Sequence, residues 1–260
     1  MHPELIRIGS FALPSYGLMM ALGFLAALWL VRKRAPAFGV APDVASDIGI
    51  WVLLSGLVGS KLLLVIVDWP QYVSSWSGLR DLARAGGVFY GGLMGAVVAT
   101  AVLLRRREIP FFKFADIAAP SVALGQCLGR VGCLLAGCCW GRICALPWAI
   151  TFTDQNAHDN VGVPLNFPLH PTQIYEALGT LALCVLLIVL ERRRYSGETF
   201  VRYLFGYALL RFTIELFRGD PRGSVFGLMS TSQFIALCGV AAAAVLWALR
   251  RRTASAPAAA

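Results

Sequence analysis

The chief shortage in this 260-residue chain is charge. Asp, Glu, Lys and Arg make up 14% of it, where a soluble domain carries roughly a quarter. Hydrophobic residues reach 58% and the mean hydropathy is +0.69, which puts the chain in the membrane class. It has no convincing internal repeat and no zinc-type spacing among its seven cysteines. The first apolar run, at about 16–31, is followed at once by Arg32-Lys33-Arg34. The basic residues follow that run instead of preceding it, so it is expected to stay as an anchor and not to be a signal peptide. The net charge of +9 does not form a nucleic-acid stripe, because the cations sit in short clusters beside apolar runs. No nucleic-acid partner is expected.

Seven apolar stretches are long enough to span a bilayer, at about 16–31, 47–67, 87–104, 115–136, 173–190, 200–217 and 230–249. They predict an all-α, polytopic integral membrane protein with seven transmembrane helices. Fourteen of the 23 basic residues fall after alternate spans, in clusters such as Arg32-Lys33-Arg34, Arg105-Arg106-Arg107, Arg192-Arg193-Arg194 and Arg250-Arg251-Arg252. By the positive-inside rule this puts the N-terminus outside and the C-terminus in the cytoplasm. One domain is expected over 1–252, with outward segments at 68–86 and 138–170. The first contains Trp69, Pro70, Tyr72 and Trp76, suited to the headgroup level, and the second holds Asp154, Asn156, His158, Asp159 and Asn160. The Ala/Ser/Pro-rich tail 253–260 is expected to be disordered.

Several polar residues sit where they are expensive. An arginine near the bilayer centre costs about 2.5–3.5 kcal/mol on insertion scales. Arg130 lies in the fourth stretch on one helical face with Gln126, Cys133 and Gly137, and Gly125 and Gly129 allow another helix to approach. The sixth ends in Tyr207, Arg211, Glu215 and Arg218, with Arg211 and Glu215 spaced as an i,i+4 pair. The fifth opens with His170, Gln173 and Glu176 on one face, and Lys61 falls in the second. Singly, each is explained as a structural ion pair between helices. As a set they are too many for that, and their cationic balance suits an anionic ligand such as a phospholipid phosphate. Cys184, Cys238 and Cys127 are expected to be inert packing residues. Cys133, Cys138, Cys139 and Cys144 cluster at the outward end of the fourth stretch, leaving packing, a disulfide or a reactive thiol open.

These segments resemble the bacterial prolipoprotein diacylglyceryl transferases. The resemblance rests on His2-Pro3, Ile8-Gly9, Tyr16-Gly17-Leu18, Gly91-Gly92-Leu93, and Asp116 with Pro120. It continues through Gly129-Arg130-Val131-Gly132, Trp140-Gly141-Arg142, His170 to Glu176, and Tyr207 to Arg218. The matches run in order from residue 2 to about 235. The family's usual signature has Asn, Asn and Glu where this chain has Cys133, Ala136 and Cys138, and a histidine where it has Tyr90. The resemblance implies transfer of the diacylglyceryl group of phosphatidylglycerol to the lipobox cysteine thiol of a prolipoprotein signal peptide, forming a thioether and releasing glycerol phosphate. It implies a multi-pass protein of the bacterial inner (cytoplasmic) membrane, in contact with membrane lipids, with no metal and no organic cofactor. Carried over, Arg130 and Arg211 hold the phosphate, supported by Arg218 and Glu215, while Tyr16 and Tyr207 position the lipid. Gly91, Gly92, Cys133, Gly141 and Arg142 fall at the matched substrate-site positions. Tyr90 occupies the position of the family's base, and His170 is the candidate to replace it.

Two other readings are compatible with the same residues. One is a divergent relative that uses another acceptor, through an enzyme-bound Cys133 or Cys138. The other is a non-catalytic phospholipid-binding or transport protein that keeps the cationic cavity. An ion transporter or photoreceptor fits poorly, since the seventh stretch has no Lys and no carboxylate proton relay is evident. Oligomeric state and acyl-chain specificity are not legible.

Overall fold

The computed structural model describes residues 4–8, 11–73, 78, 82, 87–221, 223–225 and 227–255. The expectations placed on His2, Pro3, Gly9 and Trp76 lie outside those residues, as does 256–260. A hairpin of β1 (Glu4–Ile8) and β2 (Phe11–Pro14) leads into α1 (Ser15–Arg34). Then come α2 (Pro42–Val67), α3 (Trp69–Val73), α4 (Phe89–Arg106) and α5 (Phe111–Ala136). The next segment holds β3 (Ile150–Thr151), α6 (Gln155–Val161) and β4 (Pro168–Leu169). Helices α7 (Thr172–Val189) and α8 (Glu198–Glu215) follow, then β5 (Ser224–Val225), β6 (Met229–Ser230) and α9 (Thr231–Ser255).

Among the described residues seven helices have 18 residues or more, one in each apolar stretch of the sequence. Five are long and apolar enough to cross a membrane: α1 with the short turn after it, α2, α5, α7 and α9. Helices α4 and α8 have 18 residues each, at the lower limit for a span. Large apolar side chains stand exposed along these helices, Leu57, Val58 and Leu62 on α2 and Leu178, Val185 and Val189 on α7 among them. A bilayer covers such faces; water does not. The backbone of α9 runs to Ser255, past the start of the tail expected to be disordered.

The chain forms two compact units, one of residues 31–114 and one of residues 1–30 with 115–260. In the first, Pro42 opens α2, and Ser46 Oγ returns to the Pro42 carbonyl at 2.9 Å. Helices α2 and α4 touch through small residues. A Cβ at Gly91 would run into the Gly59 carbonyl oxygen, and one at Gly92 would stand 3.2 Å from that of Gly56. Lys61 Nζ donates to the Leu82 carbonyl at 2.7 Å. The ion pairs here lie on the surface, Arg32 with Asp43 at 2.7 Å and Arg107 with Asp47 at 3.7 Å.

The other unit is also joined by small residues. A Cβ at Gly125 of α5 would lie 3.3 Å from the Gly23 carbonyl of α1, the close approach expected at that position. Gly239 of α9 packs against Ala208 of α8. Helix α8 starts at Gly197, which has a left-handed φ of 100°. There the buried Asp116 carboxylate of α5 accepts the Gly197 and Phe200 amides at 2.6 and 2.9 Å, filling donors that a helix start leaves empty. Within 138–170, β3 pairs with β4 over a small core of Phe152, Ala157, Val163 and Leu169. The polar run in that segment belongs largely to α6, which Asp154 caps by accepting the Asn156 and Ala157 amides.

Candidate active site

The C-terminal ends of α5 and α8 and the start of α7 carry four buried charged side chains, Glu176, Arg211, Glu215 and Arg218. Arg130 projects from α5 to Glu176 on α7, with Nη2 2.9 Å from Oε1, and the Glu176 side chain is 1% exposed. The charges touch without alignment along an N–H bond, so the contact is mainly electrostatic. Arg130 Nη1 also donates to Cys139 Sγ at 3.6 Å, and the Tyr207 side chain of α8 lies within electrostatic reach of the same guanidinium. Contacts from α7, α8 and the turn after α5 thus fix the direction of one arginine. Tyr207 stacks on Tyr203, ring centroids 5.8 Å apart, and lies within electrostatic reach of Arg211 too.

Arg211 is buried. Its Nη2 meets Glu215 Oε2 at 2.7 Å, one helical turn on as the spacing predicts, and Ser232 Oγ of α9 at 2.9 Å. Its Nη1 has no hydrogen-bond partner among the described residues. A guanidinium has five N–H donors, and leaving a buried one unmade costs about 1–3 kcal/mol. An anion bound here would supply the missing acceptor.

The third arginine, Arg218, grips Asp220 through two bonds of 2.7 Å. The strip Trp140-Gly141-Arg142 lies between two others. Arg142 N donates to the Phe217 carbonyl at 2.8 Å, Gly219 N to that of Trp140 at 3.1 Å, and His170 N to that of Arg142 at 2.9 Å. Gly141 is glycine for a steric reason: a Cβ would collide with the carbonyl oxygens of His170 and Phe217. Arg142 Nε donates to the Arg218 carbonyl at 3.0 Å. Arg142, Glu215, Arg218, Asp220, Ser230 and Gln233 line much of a cavity of about 380 Å³.

Where α5 ends, Gly137 and Cys139 take left-handed backbone conformations, and the Sγ atoms of Cys133, Cys138 and Cys139 come within 4.8 Å of one another. Hydrogen bonds from the Cys133 and Cys138 thiols, then the charge of Arg218, hold the Cys139 thiol below its usual range. Its own bonds to Cys133 and Cys139, then burial, push the Cys138 thiol up. All seven cysteines are free thiols. Tyr16, at the start of α1, lies beside this group and within reach of Arg130.

The structure therefore brings Arg130, Tyr207, Arg211, Glu215, Arg218, Arg142, Gly141, Cys133 and Tyr16 into one unit. His170 belongs to it as well, packed against Phe217 at 5.2 Å between centroids, with Nδ1 3.4 Å from the Tyr175 hydroxyl. Its described contacts are aromatic and backbone ones and do not include Arg130 or Arg211. Tyr90, Gly91 and Gly92 lie in the unit of residues 31–114, where Tyr90 is exposed and the glycines pack on α2. Sequence reasoning missed Glu176 as the partner of Arg130, Ser232 as that of Arg211, Cys139 as an acceptor for Arg130, and Asp220 altogether. For Glu176 there was a signal, its place on one face with His170 and Gln173. For Ser232 there was none.

A family model described as prolipoprotein diacylglyceryl transferase matches residues 3–249. Among curated relatives, a phosphatidylglycerol–prolipoprotein diacylglyceryl transferase of Clostridium tetani is 37% identical over 238 residues, 91% of this chain and 93% of its own. One of Photobacterium profundum, with the same name, is 37% identical over 86% of this chain and 84% of its own. A third, from Gloeobacter violaceus, is 30% identical over 97% and 94%.

Proposed function

Because the chain belongs to the prolipoprotein diacylglyceryl transferase family, we infer from its own residues how the transfer is carried out. It is a transferase that moves the diacylglyceryl group of phosphatidylglycerol to prolipoprotein. In our reading the acceptor is the thiol of the lipobox cysteine. Once it has lost its proton, its sulfur attacks the glyceryl carbon that bears the phosphate. A C–S bond forms, the C–O bond to phosphate breaks, and glycerol phosphate leaves with the electron pair. The observation that carries this reading is buried Arg211, whose Nη1 is unpartnered among the described residues.

Arg211 and Arg130 receive the phosphate oxygens as charge builds on them. Preorganised donors in a site shielded from water act where charge develops, and losing one costs about 10²–10³ in rate in well-studied cases. Glu215 and Glu176 hold these two arginines in place. Tyr207 and Tyr16 position the lipid beside them, and Arg218 and Arg142 extend the cationic lining of the neighbouring cavity.

The seven long helices are taken as seven spans of one membrane domain, with the N-terminus outside and the C-terminus in the cytoplasm. The basic clusters after alternate spans support that orientation. The reaction site then faces the outer half of the bacterial inner membrane, where a secreted prolipoprotein emerges.

The test is a detergent-micelle assay with phosphatidylglycerol and a lipobox peptide, read by mass spectrometry of the peptide cysteine. The diacylglyceryl thioether is expected from the parent protein and is lost with Arg130→Ala. Folded parent protein that binds lipid and forms no adduct would overturn the reading.

A further inference from the structure

The mechanism leaves the three clustered sulfurs of Cys133, Cys138 and Cys139 without a task. They are nonetheless tightly held. The Cys139 carbonyl accepts Thr172 Oγ1 at 2.7 Å, and the Cys138 carbonyl accepts Gln173 Nε2 at 2.8 Å. Thr172 and Gln173 are themselves almost completely buried. Cys138 N closes the end of α5 on the Cys133 carbonyl at 3.1 Å. Cys139 has a φ of 64°, a conformation that costs a side-chain-bearing residue roughly 1–3 kcal/mol and persists where the surroundings enforce it. Packing alone does not require three thiols to converge from a strained turn.

We propose that Cys133, Cys138 and Cys139 form a three-thiolate site for a soft monovalent cation, with Cu(I) as the occupant. A metal–thiolate bond of about 2.3 Å places three donors around one ion about 4 Å apart. The sulfurs already lie within 4.8 Å of one another, so closure needs only small side-chain rotations. Hard cations take oxygen ligands, which this group does not offer. Structural zinc takes four ligands, and among the described residues no further His, Cys, Asp or Glu belongs to the group. Thiolates select soft ions, and Cu(I) is satisfied by three.

Binding exchanges three S–H protons for three Cu–S bonds with no change of oxidation state, and leaves the complex with two excess negative charges. Arg130 Nη1, 3.6 Å from Cys139 Sγ, and the Arg218 guanidinium beside the same sulfur offset that charge. N–H donors around metal-bound ligands also orient them and raise affinity. The site stands whether or not the transferase reading does.

The experiment uses the full chain in detergent micelles, reduced with a phosphine and kept anaerobic, titrated with Cu(I) against a chromophoric Cu(I) chelator. One Cu(I) per chain should be withheld from the chelator. Cys133→Ser, Cys138→Ser and Cys139→Ser should each weaken retention roughly tenfold or more, whereas Cys144→Ser should leave it unchanged. A second measurement needs no variant. Alkylation of the parent protein followed by peptide mapping should find the three cysteines protected by Cu(I) and Cys144 still reactive. Copper lost entirely to the chelator, copper retained after all three are replaced by serine, or alkylation of the trio despite copper would each overturn the proposal. Preferential retention of Zn(II) over Cu(I) in the same competition would overturn the choice of ion.

Discussion

Four ion pairs, two in each unit, differ sharply in burial. In residues 31–114, Arg32 and Asp43 pair with side chains 55% and 80% exposed, and Arg107 and Asp47 meet loosely at 3.7 Å. In the other unit, Arg211 and Glu215 pair with side chains 11% and 5% exposed, and Arg218 and Asp220 at 2% and 17%. Exposed pairs contribute little to stability, about 0–1 kcal/mol at best. Buried pairs must repay the loss of hydration, and a well-packed apolar replacement is often as stable. Charge kept inside at that cost indicates chemistry, and charge left outside indicates topology. The first unit leaves these cations at its surface and holds α2 and α4 together with glycine. The second keeps Arg130, Arg211 and Arg218 in pairs with buried or half-buried carboxylates, beside exposed ones such as Arg193.

The most severe way to break this contrast is to remove one half of a buried pair. Glu176→Ala should destabilise the protein by about 3–5 kcal/mol, because it strands the Arg130 charge. A thermal midpoint in micelles close to that of the parent would show that Arg130 is solvated and the contrast false. Arg211→Ala should cost about 10²–10³ in turnover, with insertion and expression near normal. Arg211→Lys should rescue only part, since an ammonium cannot supply the fork of donors. Kinetics with phosphatidylglycerol would measure both, and parent-like turnover by the alanine variant would remove the phosphate clamp.

Smaller effects sharpen the picture of the glycine-packed unit. Gly91→Leu should cost about 1–3 kcal/mol by forcing α2 and α4 apart, read as a lowered midpoint. A neutral result would mean that the helices do not touch there. At the bottom of the scale, Asp43→Ala should leave both midpoint and turnover unchanged. A marked loss would show that its exposed pair with Arg32 does more than sit in solvent.

Much of this was legible in the chain because it is local. The long helices coincide with the apolar stretches, since a backbone in lipid must satisfy its own hydrogen bonds and a helix does so within one segment. Arg211 and Glu215 were expected to pair because four residues make one turn. The Gly125 face was expected to admit a neighbour, and Gly23 of α1 lies against it. Less legible was the reason for Gly141, matched as a substrate-site residue. It lies where two carbonyl oxygens leave no room for a Cβ. Gly91 and Gly92 are similar: as a motif they pointed to substrate, while their contacts are with the backbone of α2.

The sequence by itself determined the membrane class, the helix positions, the basic clusters and the presence of costly arginines. Each follows from composition or from periodicity along a single element. Only the tertiary structure decided that Arg130 meets Glu176, 46 positions along the chain, that Arg211 keeps one nitrogen unpaired among the described residues, and that three sulfurs converge beside two guanidiniums. Such contacts join elements far apart in sequence. Their geometry depends on how helices pack and where a left-handed turn redirects the chain, and no local pattern of residue types encodes either.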